Sequence, residues 1–367
     1  MANKSLTSAK RAKNDEFYTQ YADIEKEIGA YLDFDPNTFK GKVVYCNCDD
    51  PYESNFFRYF VLNFKKLGLK RLITTSYCPS PVANTQLELL GVPPATSGRK
   101  GRPKATANKF IINKVSKIDE KSGFGLEDVA EQLKANRANE WAPLEGDGDF
   151  RSPECVELLQ QADIVVTNPP FSLFREYVKQ LVDHGKRFAV IGNMNAITYK
   201  EIFPLIKDNQ LWLGATGNGT DMVFAVPNGA EIKDSDRQKA ARMGYAGDYT
   251  RLGNSCWFTN LDHGRRHRPI PLMTMADNLK FSRHKLIKGK KKYDSYDNYD
   301  AIEVPFVDSI PSDFGGEMGV PISFLDKYCP EQFEIVRFRK GNDEKDLSVN
   351  GKCPYFRILI KHTCSQK

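Results

Sequence analysis

One short string combines residue types suited to reaction at an aryl amine. Asn168-Pro169-Pro170-Phe171 follows directly on the apolar run Ala162-Asp163-Ile164-Val165-Val166-Thr167. An amine on a heteroaromatic ring is planar, because its lone pair is delocalised into the ring, and is a poor nucleophile. An Asn side-chain oxygen and a proline carbonyl can each accept one of its N–H groups. Together they hold the nitrogen toward tetrahedral geometry and favour positive charge as it attacks. Two prolines stiffen such a turn and remove competing N–H donors. The Phe offers a face on which an extruded base stacks, worth about 1–3 kcal/mol. A shuffled chain of this composition would contain Asn-Pro-Pro-aromatic about once in a hundred trials. The string is therefore read as a site rather than as a proline-rich turn with a packing Phe.

The elements that must position it alternate strand and helix. Residues 42–48 are expected to form a strand ending at the acidic turn Asp49-Asp50-Pro51. Phe56, Phe57, Phe60, Val61, Phe64 and Leu67 then fall near helical spacing over 54–67, and Gly68 closes the helix. Residues 71–76 read as a second strand. A strand at 162–167, a helix at 173–184 stopped by Gly185, and a strand at 187–192 repeat this order, the signature of a parallel α/β sheet. Strands at 211–213 and 222–226 are expected to form the reversed edge of seven strands. Ligands of such sheets bind at the carboxyl ends of the strands. Three polar groups fall there: Asp49-Asp50, Asp147-Asp149-Phe150 and Asn168–Phe171.

Residues 79–108 interrupt the alternation with five Pro and three Gly and read as an inserted loop region. A strand resumes at 110–112, and a helix is expected over 127–136. Beyond about 260 the alternation fades into basic, Tyr-rich sequence. The expected division is a first domain of 1–260, with a basic insertion at 79–117, and a second region of 261–367. A length of 367 residues agrees with about two domains.

The charge is segregated. Residues 1–13, 99–117 and 265–292 together carry 21 basic residues and one acid, leaving 32 basic and 46 acidic residues elsewhere. An acidic body with three strongly basic segments suits a polyanion whose phosphates supply the affinity. Lys100-Gly101-Arg102-Pro103-Lys104 resembles the core of an AT-hook, in which an extended Gly-Arg-Pro lies along a narrow minor groove. A plain basic loop fits these five residues equally well. Lys100, Arg102, Lys104, Arg265, Arg266 and Arg268 are the candidate contacts to DNA. No apolar run reaches the 18–20 or so residues that span a bilayer. The N-terminal residues lack the apolar stretch of a secretory signal, so a cytoplasmic protein is expected. The eight cysteines include no Cys-x-x-Cys pair and read as reduced thiols, and no metal site is expected. His263 and His267 lie among arginines that would repel a cation.

The ordered set of strings resembles the EcoRI modification methylase family. Beyond Asn168–Phe171, the resemblance is carried by Asn14-Asp15-Glu16-Phe17-Tyr18-Thr19-Gln20, Val43–Pro51, Ser54-Asn55-Phe56-Phe57 and residues 195–214, over most of 10–260. It implies a Rossmann-like class I methyltransferase sheet with inserted loops and a smaller C-terminal DNA-recognition region. The implied activity is methyl transfer from S-adenosylmethionine to adenine N6 in a short duplex sequence such as GAATTC, directly and onto a flipped base. Tyr18 and Thr19 would help hold the cofactor's methionine end, and Asp49 and Asp50 its amino or ribose groups. Asp149 would accept from the cofactor adenine, with Phe150 packed beside it. Asn168, Pro169, Pro170 and Phe171 take the catalytic places. The usual Gly-x-Gly of the first strand is replaced by Cys-Asp-Asp-Pro, and no acid follows the second strand. Cytosine C5 chemistry would need a cysteine after proline, and no Pro-Cys occurs. The resemblance also implies a monomer acting on double-stranded DNA and a restriction endonuclease that shares its site without a stable complex. Rival readings are an RNA or protein-glutamine methyltransferase, and a non-catalytic DNA-binding protein on a decayed methyltransferase fold.

Overall fold

The computed structural model describes residues 18–48, 54–77, 107–116, 126–216, 222–226 and 233–363. The chain divides into two compact units, one of 1–194 with 216–261, the other of 195–215 with 262–367.

In the first unit, a short strand β1 (Tyr18–Thr19) leads into helix α1 (Tyr21–Phe34) and strand β2 (Val43–Asn47). Helices α2 (Asn55–Leu62) and α3 (Phe64–Leu67) and strand β3 (Arg71–Thr75) follow. Next come β4 (Asn108–Ile112), α4 (Leu126–Ala135), β5 (Glu140–Pro143), α5 (Pro153–Gln161), β6 (Ile164–Thr167), α6 (Phe174–Asp183) and β7 (Arg187–Asn193). Helix α7 (Phe203–Lys207) and strand β8 (Trp212–Leu213) belong to the second unit. The first unit resumes with β9 (Met222–Ala225), α8 (Asp234–Arg242), β10 (Tyr249–Leu252) and β11 (Ser255–Thr259).

Its main sheet runs β5-β4-β3-β2-β6-β7-β11. β3, β2, β6 and β7 run parallel to one another, and the pairings β3–β4, β4–β5 and β7–β11 are antiparallel. Parallel neighbours require crossovers, and the helices between β2 and β3 and between β6 and β7 supply two of them. All five residues of β2 and all four of β6 are buried, which is why both read as continuous apolar runs. Between β2 and β3 the predicted single helix is two. The Ser54 side chain accepts from the Phe56 and Phe57 amides to start α2, the chain breaks at Asn63, and Gly68 in the left-handed region (φ 62°) ends α3.

Three features differ from the expectation. Met222–Ala225 does not join the main sheet: β9 pairs antiparallel with β1 and β10 in a three-stranded sheet. The antiparallel neighbour of β7 is β11, a strand the sequence reading did not assign, and its five residues are all buried. Asn254, at φ 65°, makes the tight turn that releases the chain from β10 into β11. Helices α1, α5 and α8 and strands β5 and β10 were not anticipated, although α5 carries a legible start in its Ser152 cap and Pro153 at the first position.

The second unit holds α9 (Met275–Phe281), β12 (Ala301–Glu303), β13 (Glu317–Pro321), β14 (Phe333–Phe338) and β15 (Arg357–His362). These strands form a sheet in the order β12-β13-β15-β14, where the sequence showed only fading alternation. Arg357 clamps the Glu303 carboxylate, with Nε 2.9 and 3.0 Å from its two oxygens, and Tyr296 donates to the same carboxylate. Such a buried pair holds because each charge is matched by hydrogen bonds.

In the first unit, Trp257 of β11 is fully buried, with the Phe56 ring edge-on at 6.0 Å. Trp257→Ala is expected to cost about 3–5 kcal/mol, the usual range for emptying an aromatic site in a core. Thermal or denaturant unfolding of the variant measures this, and a loss below about 1 kcal/mol would mean that the site collapses on itself.

Candidate active site

The carboxyl ends of β2, β3 and β6 are tied together by buried polar side chains. At the end of β2, Asn47 is 2 % exposed. Its carbonyl accepts from the Thr167 hydroxyl at the end of β6, and its side-chain oxygen accepts from the Tyr177 hydroxyl of α6. The Tyr177 ring meets Phe150 edge-on at 5.0 Å. Gln180, one turn further along α6, donates to the Phe150 carbonyl at 3.1 Å. The turn 147–150 is in turn pressed onto the end of β3. Gly148 (φ 83°) lies so near Ser76 that a Cβ there would clash with the Ser76 carbonyl oxygen. The structure thus brings together three of the segments singled out in the sequence.

The motif occupies the mouth of this arrangement. Asn168 is half-buried, Pro169 and Pro170 are buried, and half-buried Phe171 packs partly against the core and opens a single 3-10 turn. The two proline carbonyls differ. That of Pro170 accepts the Leu173 amide at 3.0 Å, whereas that of Pro169 accepts no hydrogen bond among the described residues. An acceptor beside the Asn168 amide is therefore left open to a ligand.

Tyr18 and Thr19 are held against the start of α2 by a contact the sequence did not show. Asn55, the first residue of α2, donates from Nδ2 to the Thr19 carbonyl at 2.8 Å, and β9 pairs on their other side. The Thr19 side chain is 3 % exposed, and its hydroxyl has no hydrogen-bond partner among the described residues. A buried hydroxyl left unsatisfied costs about 1–3 kcal/mol, which a polar ligand end would recover. This fits the methionine end of S-adenosylmethionine. Cys48, at φ 61°, takes the left-handed turn at the end of β2, where the usual pattern has glycine. Asp49 and Asp50 lie outside the described residues, as do Lys100, Arg102 and Lys104.

Asp149 is not bare. Arg151 donates to it from Nε (2.9 Å), from an outer guanidinium nitrogen (2.6 Å) and from its amide (2.8 Å). Burial raises the Asp149 pKa, but the Arg151 hydrogen bonds and charge outweigh it and hold the carboxyl below its ordinary value. The group is an ionised acceptor already shared with a guanidinium that also meets Glu176 at 2.8 Å and lies over the Phe150 ring.

The second basic candidates require a correction. Arg266 is 8 % exposed: its guanidinium lies 3.7 Å over the Trp212 ring and donates to Asn209. It is a packing element of the second unit and is not presented to a phosphate. Arg265 donates to the Ala215 carbonyl at 2.8 Å and pairs with Asp326. Only Arg268 of the three is exposed. A run of arginines reads as a surface patch until their partners are known, and Asn209, Trp212, Ala215 and Asp326 are all distant in sequence. Among the described residues no group of three His, Cys, Asp or Glu side chains gathers as a metal site. No helix among them is long and apolar enough to cross a membrane.

The chain matches the family model for the adenine-specific methyltransferase EcoRI over residues 5–363 and belongs to that family. It is an adenine-specific methyltransferase. It is 46 % identical to the type II methyltransferase M.EcoRI of Escherichia coli, over all of this chain and 98 % of that one. It is 35 % identical to M.MpnI of Mycoplasma pneumoniae, over 96 % of each chain, and 34 % identical to M.MgeORF184P of Mycoplasma genitalium, over 96 % of this chain and 97 % of that one; both are also type II methyltransferases. No solved structure matches the chain.

Gly148→Ala is expected to lower the unfolding temperature and to weaken S-adenosylmethionine binding together, because the new methyl group meets backbone and the φ is unfavourable to any L side chain. Calorimetric titration of the folded variant with the cofactor measures it, and unchanged affinity would detach this turn from the site.

In the second unit, burial lowers the His263 pKa to about 4, helped by Arg266 and Arg265 against its bond to the Leu213 carbonyl. The unfolded chain then binds a proton below about pH 6.5 that the folded chain refuses until about pH 4, so stability falls as pH is lowered through this window, by about 3 kcal/mol in all. His267 acts oppositely. Burial lowers its pKa, but hydrogen bonds to Glu331 and Asp262 raise it overall, so its contribution is complete below pH 6.5 and is lost as pH rises through its folded pKa. In His267→Asn the gain in stability as pH falls toward 6.5 should disappear while the loss between 6.5 and 4 stays, and in the double variant with His263→Asn that loss should shrink. Equal pH profiles for the two would place His263 in water.

Proposed function

We propose that this chain methylates N6 of one adenine within a short duplex DNA sequence, using S-adenosylmethionine bound on a Rossmann-like class I methyltransferase sheet. The observation that carries the reading is the open Pro169 carbonyl next to Asn168 at the end of β6, with the Pro170 carbonyl already occupied. Two acceptors side by side suit an amine with two N–H groups.

In this reading the target adenine leaves the duplex and stacks on Phe171. The Asn168 side-chain oxygen and the Pro169 carbonyl accept its two N6 hydrogens. This draws the lone pair out of the ring plane and stabilises the charge that develops on nitrogen. Pro170 stiffens the turn. Tyr18 and Thr19 hold the methionine end of the cofactor, Asp49 and Asp50 its amino or ribose groups, and Asp149 with Phe150 its adenine. The cofactor supplies the methyl group from a sulfonium, which needs no metal and no covalent intermediate on the protein. Asn47 is a positioning residue: Thr167 ties it to the end of β6 and Tyr177 ties it to α6.

Residues 1–260, apart from 195–215 which pack with the second unit, would make the catalytic domain and 261–367 a target-recognition region. Lys100, Arg102, Lys104 and Arg268 would contact the duplex. The relatives' designation as type II methyltransferases supports a restriction–modification role. A cytoplasmic monomer, a GAATTC-like palindrome and an endonuclease that shares the site without a stable complex all belong to this proposal.

Modification-sensitive sequencing of DNA from a methylation-free host expressing the chain should show N6-methyladenine at one recurrent short motif. Asn168→Ala should lower methyl transfer by about 10²–10³ or more, as removal of a transition-state hydrogen bond does, with duplex binding retained. Normal turnover in that variant would refute the catalytic assignment. No modified adenine from folded wild type would turn the reading to RNA or to a silent binding protein.

A further inference from the structure

The basic segment 265–292 has two parts with different fates. Arg265 and Arg266 are engaged by partners within the second unit, as shown above. Most cations of 280–292 are not. Within them Arg283 pairs with Asp308 and Lys290 with Asp294. Lys280, Lys285, Lys288, Lys291 and Lys292 are exposed and make no ion pair among the described residues. Beside them are Phe281 and Leu286, 59 % and 58 % exposed, two of the few large apolar side chains that face outward among the described residues.

Their exposure is built in. The loop after α9 closes on itself through the Gly289 amide, which donates to the Leu279 carbonyl at 2.8 Å, with Gly289 at φ 82° making the return. Asn278, Ser282 and Ile287 are buried and anchor it. His284 is held by Asp308 at 2.8 Å and stacks on Phe306 with ring centres 3.7 Å apart. The inward residues fix the loop, and Phe281, Lys285, Leu286 and Lys288, within eight residues of one another in sequence, are all left exposed. Apolar surface of this size is costly to leave in water. Surrounding cations would repel a second copy of the same patch and favour a polyanion with apolar faces to cover.

On the reading that the chain acts on duplex DNA, we infer that residues 280–292 form a face that grips it, the lysines on phosphates and Phe281 and Leu286 pressed as apolar wedges against the bases. This pairing of backbone charge with an inserted side chain lets a protein deform a duplex while it holds it.

The test uses the full chain and a 30-base-pair duplex. Phe281→Ala should weaken binding about tenfold, of the order of one lost aromatic–base contact, and leave the salt dependence unchanged, while Phe281→Trp restores affinity. Lys285→Gln with Lys288→Gln should reduce the slope of log affinity against log salt by about two, whatever the duplex sequence. Phe281 and both lysines are exposed, so the variants should unfold at the wild-type temperature. Wild-type affinity in Phe281→Ala, an unchanged slope in the lysine variant, a wild-type dimer that Phe281→Ala dissociates, or losses seen only with single-stranded RNA would each overturn the inference. Methyl incorporation is read separately: a wild type that binds duplex through this face but transfers no methyl would refute the proposed function and leave the face standing.

Discussion

The site depends on one buried amide. Asn47 ends the central strand with almost no exposure and accepts two hydroxyl hydrogens, one from Thr167 on the neighbouring strand and one from Tyr177 on the helix after the motif. A polar group at such depth is tolerable only when satisfied, and in low dielectric its bonds are directional and strong. Here the satisfying partners are the residue immediately before Asn168 and a residue whose ring touches Phe150. The requirement to satisfy one amide therefore also sets the position of the motif and of the turn that faces it.

Strand 43–47, the strand before the motif and the helix after it were legible because their patterns are local: continuous apolar runs for strands buried on both faces, and helical spacing closed by glycine. What escaped was decided by pairing. Met222–Ala225 is as apolar as any edge strand, but its partner is Tyr18–Thr19, and nothing in either segment announces the other. The site was legible in the same proportion. Asn168–Phe171 stands out by composition, whereas Asn47, Asn55 and Tyr177 are ordinary residues whose importance is a matter of what lies across from them. Gly148 had a signal, a glycine between two acids, but the reason for it is the Ser76 carbonyl, 72 residues away in sequence.

The basic segments show the limit of counting charges. Arg265, Arg266 and Arg268 are near-equivalent in sequence, yet one guanidinium lies over an indole, one is ion-paired and one is exposed. Arginine lends itself to this division, since its planar, weakly hydrated head packs on aromatic faces as readily as it meets phosphate. Lysine keeps a compact and strongly hydrated charge, and the run 280–292, rich in lysine, is the part that stays in solvent. Within this segment the two cations drawn inward, 265 and 266, are arginines, and the exposed cations of 280–292 that make no ion pair among the described residues are lysines.

The absence of Gly-x-Gly after the first strand looks at first like decay of a cofactor site. The backbone argues otherwise. Cys48 adopts the left-handed turn that glycine ordinarily supplies, at a strain of about 1–2 kcal/mol for a residue with a Cβ. Such strain persists only where the surroundings over-determine it, and Asn47, bonded on both its carbonyl and its side chain, is the residue immediately before. The same strand end also carries the bond to Thr167, so Cys48 and the residue before Asn168 are both anchored through Asn47.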